Sequence, residues 1–151
     1  MISLVRHLSL LILLAITACG GASLAPSPTP ARTLDPATTR LWTTWALEAQ
    51  TIARTTSQFY ASGRMLPSQA ADEQGRARML AEEIRGREPS NELVLRLADD
   101  LDELVEALEF ALEYAQNAGL PIIRIVIPSL EDALFQLDDD ATELIQALET
   151  G

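Results

Sequence analysis

The chain has 151 residues, of which 11 are basic and 22 acidic, giving a formal charge of −11. All 11 basic residues are arginine, and there is one cysteine, Cys19, and one histidine, His7. This composition excludes an internal disulfide and Schiff-base lysine chemistry. It also argues against nucleic acid, whose phosphates need a basic surface, and against a polybasic lipid-binding patch.

The first element is a run of 11 mostly apolar residues, Leu8 to Ala18, behind a short head carrying Arg6. A positive head, an apolar stretch of this length and small residues at the end make a secretory signal peptide. The run is too short to cross roughly 30 Å of hydrocarbon, which takes about 20 helical residues. It closes on Ile16-Thr17-Ala18-Cys19, which resembles the lipobox of bacterial lipoproteins. That resemblance implies a diacylglyceryl group on the Cys19 thiol, cleavage between Ala18 and Cys19, and acylation of the new amino group. It implies a protein held by lipid on the extracytoplasmic side of the cell membrane or outer membrane; Gly20, rather than aspartate, resembles outer-membrane sorting. The resemblance covers only the first 20 or so residues. Two or more acyl chains are enough for stable anchoring, where one holds only marginally.

Cleavage there leaves 133 residues, enough for one domain with a single core. That domain has no histidine, so Cys or His zinc and haem sites and any Ser-His-Asp or Cys-His nucleophile are excluded. No enzymatic activity and no cofactor are expected. Residues 20 to 34 carry Pro26, Pro28 and Pro30 among Gly, Ala, Ser and Thr, a composition that favours an extended, flexible tether. The expected organisation is a signal peptide over 1–18, the lipidated cysteine and tether over 19–34, and a helical domain over 35–151.

Asp35-Pro36 marks a helix start, with Asp35 as N-cap and Pro36 at the first helical position. Helix 1 is expected to run to about Ser62 before Gly63, with Leu41, Trp45, Ile52 and Phe59 as its apolar stripe and Trp42, Ala49 and Tyr60 beside it. Trp42 and Trp45 read as core rather than as a ligand platform. Helix 2, about Pro67 to Arg85, contains Gly75 and only three large apolar residues, Met79, Leu80 and Ile84. Asp72/Arg76 and Glu83/Arg87 are acid-before-base pairs at i,i+4 that support it.

Helix 3 is expected from a cap at Ser90 to about Ala118, stopped by Gly119 and Pro121. Leu97, Leu101, Leu104, Leu108, Ala111 and Ala115 form a heptad seam, widened by Val94, Val105 and Leu112, as in a bundle helix. The next segment, Pro121-Ile-Ile-Arg-Ile-Val-Ile-Pro128, has high β-propensity between two prolines. It reads as a short strand, a buried connection or the beginning of a kinked helix, lying across the end of the bundle. Helix 4 follows, with Ser129 as cap and Leu130, Leu134, Leu137, Ala141, Leu144 and Leu148 on one side. The fold class is therefore all-α, an up-and-down four-helix bundle, with a three-helix bundle and a loose second helix as the alternative.

Charge is uneven: residues 19 to 87 hold eight arginines and six acids, residues 88 to 151 two arginines and 16 acids. Asp99, Asp102, Glu103, Glu106, Glu109 and Glu113 line helix 3 opposite its seam, a solvated face that Arg76, Arg78, Arg85 and Arg87 would partly balance. Phe110 falls about 160° from the seam at 100° per residue, among Glu103, Glu106 and Glu113, with Tyr114 one turn on; Phe135 is similarly off the stripe of helix 4. An aromatic ringed by charge is the usual form of a partner-binding anchor, and side-packing against a neighbouring helix is the alternative. Asp138-Asp139-Asp140 and Asp99-Asp100-x-Asp102-Glu103 are weak cation candidates, since neither has the alternating D-x-D-x-D-G loop and consecutive helical residues diverge. The expected role is a binding or accessory module presenting an acidic helical face to an envelope protein. Divalent-cation binding and a structural or self-associating spacer are the alternatives.

Overall fold

Asp35 begins the domain as the spacing of its neighbours dictates. Its carboxylate accepts the N–H groups of Ala37 and Thr38, at 2.9 and 3.1 Å, and the Thr38 hydroxyl. These donors, the Thr38 hydroxyl foremost, hold the carboxyl below the ordinary aspartate range. The computed structural model describes residues 34–121, Ile123 and 127–150. The expected signal peptide, Cys19 and the expected tether through Thr33 lie outside the described residues, as do residues 122, 124–126 and 151.

Among the described residues four helices follow in order: α1 Pro36–Ala61, α2 Pro67–Gly86, α3 Glu92–Asn117 and α4 Pro128–Thr150. α1 ends through Ser62 and Gly63, whose φ of 61° is the left-handed turn that glycine takes without a Cβ penalty. Gly119 does the same after α3, with φ 64°. Between α1 and α2, Gln69 reaches back to accept the Leu66 N–H at 2.9 Å, one half of a capping box. α3 is capped by Asn91, not Ser90: the Asn91 side chain accepts the N–H groups of Leu93 and Val94, two and three residues on. α4 starts one residue before the expected cap, with Pro128 in its first turn and the Ile127 carbonyl accepting from Leu130 and Glu131, so Ser129 lies inside the helix.

The polar links between helices give their direction. Trp45 and Glu83, then Glu48 and Arg76, join α1 to α2 in opposite senses. Arg85 with Asp99 and Gln74 with Val105 do so for α2 and α3, Arg96 with Glu143 for α3 and α4, and Gln50 with Thr142 and Arg54 with Asp138 for α4 and α1. All four neighbours are antiparallel, and the described residues form an up-and-down four-helix bundle. α2 packs closely on α3, which overturns the alternative of a loose second helix.

The core follows the predicted stripes on three helices. Trp42 and Trp45, Ala49 and Ile52 are buried from α1, with Leu41, Phe59 and Tyr60 partly so. Both tryptophans belong to the core, so neither forms a platform for a ligand. The whole α3 seam from Leu97 to Ala115 is buried, as are Leu130, Leu134, Leu137, Ala141 and Leu144 of α4. α2 departs from expectation. It buries Ala70, Ala77, Leu80, Ala81 and Ile84, while Met79 is 65% exposed. Its small side chains let it lie close against α3, and Met79 sits on the outer arc. The expected i,i+4 pairs also give way to tertiary partners. Arg76 pairs with Glu73 and Glu48 instead of Asp72, and Glu83 accepts the Trp45 indole N–H instead of meeting Arg87.

The segment between the prolines contributes two buried side chains among its described residues, Ile123 and Ile127. Ile123 donates to the Met65 carbonyl at 2.8 Å in an isolated antiparallel bridge, closing this end of the bundle over buried Met65. The Ile127 N–H donates to the Tyr60 hydroxyl.

Candidate functional site

Phe110 and Tyr114 are one turn apart on α3, with the seam facing the opposite way. Phe110 is 57% exposed and Tyr114 42%, so no neighbouring helix covers them and the side-packing alternative fails for Phe110. The two rings, with Glu113, Asn117 and Ala118, line a shallow depression of about 340 Å³. Glu103, Glu106 and Glu113 are all exposed around it. The sequence-predicted residues therefore share one surface.

Ion pairs divide the acidic face in two. Arg85 is held between Asp99 at 2.8 Å and Asp102 at 2.6 Å. Arg96 meets Glu143 at 2.8 Å and Asp140 at 3.6 Å, and Arg54 meets Asp138 at 3.1 Å. Of Arg76, Arg78, Arg85 and Arg87, expected to balance this face, Arg85 alone reaches it. Among the described residues no arginine lies within ion-pair distance of Glu103, Glu106, Glu109 or Glu113. Among the described residues, the acids of α3 without an ion pair thus include the three that surround Phe110. Exposed single ion pairs are worth about 0–1 kcal/mol, so the paired half of the face gains little stability from them; the unpaired half has a field open to a partner.

A larger cleft, of about 640 Å³, opens between α1 and α4. Ala53, Ser57 and Ala61, at four-residue spacing on α1, leave room that Leu134, Phe135 and Tyr60 border, and the Arg54–Asp138 pair stands among its lining residues. Phe135 is 73% exposed. Its displacement from the α4 stripe is legible in sequence, but the cleft beside it is not obvious until α1 and α4 are set in register. The signal that points to it is the row of small residues on α1, because small side chains on successive turns of one face leave a groove.

The two aspartate clusters come together at one point only. Asp138 turns to Arg54, Asp139 is exposed, and Asp140 faces α3. Among the described residues, no group of three or more acidic, histidine or cysteine side chains is placed to hold a metal ion. Asp100 and Asp140 do meet, across the α3–α4 seam. Burial, followed by the Asp140 charge and hydrogen bond and by Glu103, pushes the Asp100 carboxyl up to about 7, with Arg96 opposing. Its Oδ2 is buried without a hydrogen-bond donor.

No described helix is long and apolar enough to cross a membrane. Comparison with family models, with curated proteins and with solved structures finds no match for this chain.

Proposed function

We propose that this is a lipid-anchored, extracytoplasmic helical lipoprotein that works by binding, presenting the acidic outer face of α3 and α4 to a protein partner in the cell envelope. The observation that carries the reading is the exposed Phe110–Tyr114 pair among glutamates that have no arginine partner among the described residues. Large exposed aromatics with a charged surround are the form that interface anchors take: the ring supplies apolar area, and the rim charge supplies steering and orientation. The partner's matching surface is basic around an apolar socket. Ile16-Thr17-Ala18-Cys19 supports the anchor, and the tether would hold the domain off the bilayer by roughly 3 Å per residue where extended. The absence of histidine and cysteine after Cys19, and of lysine throughout, supports binding over catalysis.

The test is site-specific photocrosslinking in living cells. A photoreactive residue at position 110 should capture one discrete partner, and the same residue at the exposed position 79 on α2 should not. Reversing Glu103 and Glu106 to arginine should abolish the product at 110. Equal capture from both positions, or capture unchanged by charge reversal, removes this face as the site.

A further inference from the structure

We propose that Asp100 and Asp140 form a proton-operated clasp, which fastens α3 to α4 in acidic surroundings and slackens that seam as the surroundings become neutral. The geometry is of two acceptors set against each other. Asp100 Oδ2 is buried with no donor; one turn before it on α3, Arg96 reaches Asp140 of α4 at 3.6 Å, whose side chain is only 19% exposed; and the charge and hydrogen bonding of Asp140 push the Asp100 carboxyl up. Two ionised carboxylates have no proton to place between them, so such a contact is a hydrogen bond only when one is protonated.

The surrounding charges do not remove the need for that proton. From α3, Glu103 and Arg96 face Asp100; from α4 come Asp140 and, through Arg96, Glu143. Arg96 is the single cation of this group, and its closer contact is to Glu143, at 2.8 Å against 3.6 Å for Asp140. α2 sends Arg85 to the other flank of α3, where Asp99 and Asp102 hold it. α1 buries only uncharged side chains in the core. One guanidinium among four carboxylates leaves the seam short of positive charge, and a shared proton is the smallest remedy.

The direction of the effect follows from the carboxyl's position near 7, against 3.8 for an ordinary aspartate. Below about pH 4 the folded and unfolded chains both hold the proton. Between about 4 and 7 only the folded chain does, so stability falls as pH rises through this window. A three-unit separation would correspond to about a thousandfold in the folding equilibrium constant; because Asp100 is half-buried and solvent screens the pair, the expected change is about tenfold.

The experiment follows urea unfolding of the purified full-length protein from pH 4 to 8, together with Asp100→Asn and Asp139→Asn. In Asp100→Asn an amide N–H donates permanently to Asp140. The fall of about tenfold between pH 4 and 7 should disappear and stability at pH 8 should match the acid value. Asp139→Asn removes the same charge at an exposed position and should retain the fall. Identical profiles for the two variants overturn the proposal. So does a saturable rise in wild-type stability at pH 8 on adding millimolar CaCl₂, which would make a cation the natural occupant. Should Asp100→Asn not fold, carboxyl ¹³C resonances of the wild-type protein decide: an Asp100 midpoint near 7 upholds the clasp, and one near 4 refutes it.

Discussion

The assignment of the inner face of α2 can be tested with two residues on that one helix. Ile84 is fully buried, and Met79 is 65% exposed; at 100° per residue they stand about 140° apart around the axis. Truncating Ile84 to alanine removes three carbons from a packed core and leaves a cavity, which costs about 2–5 kcal/mol. Met79 has only about a third of its surface covered. Full burial of a methionine is worth about 1.5–3 kcal/mol, so Met79→Ala forfeits under about 1 kcal/mol, and the higher helix propensity of alanine returns part of that. The net change should lie within about 0.5 kcal/mol. Urea unfolding resolves the difference: with a slope near 2 kcal/mol per molar, a 3 kcal/mol loss moves the midpoint by about 1.5 M. Comparable losses for the two variants would show that α2 buries a different arc and would refute the packing described for α2 and α3.

Two further substitutions probe local structure. Asn91→Ala should cost about 1 kcal/mol by removing the side chain that caps α3, while Ser90→Ala should be close to neutral; thermal unfolding of the two variants separates the caps, and the reverse order would return the role to Ser90. Gly75 lies inside α2 with nothing within 4 Å of where a Cβ would stand, so Gly75→Ala should stabilise the domain by about 0.5–1 kcal/mol, and a loss in the same assay would mean that α2 is not helical there.

Helix limits were legible because their signals are local. Asp35-Pro36, Gly63 and Gly119 act through the backbone conformations of a few residues, and the α3 seam repeats its leucines often enough to define a face. α2 was harder to read because the helix buries mainly alanines. Large residues were a poor guide to its inward arc, and the tertiary demand for close approach to α3 outweighed the apolar character of Met79. The i,i+4 pairs failed for a related reason: Trp45 and Glu48 of α1 offered Glu83 and Arg76 partners that no local rule contains. Phe110 stood out in sequence by its angular distance from the seam. The pairing of Asp100 with Asp140 did not, since it depends on the register of two helices joined by a separate connection. Neither cluster alone states which carboxyl turns inward.

Phe110, Tyr114 and the unpaired glutamates have the proposed role only if the domain is exported and held at a membrane, and Cys19 is where that is decided. Intact-mass and fragment-mass analysis of the protein isolated from membranes gives the test. The expected result is a chain beginning at Cys19, with a diacylglyceryl group on its sulfur, and release or stranding of the precursor in Cys19→Ser. A chain with an unmodified Cys19, recovered free of membranes, would contradict it.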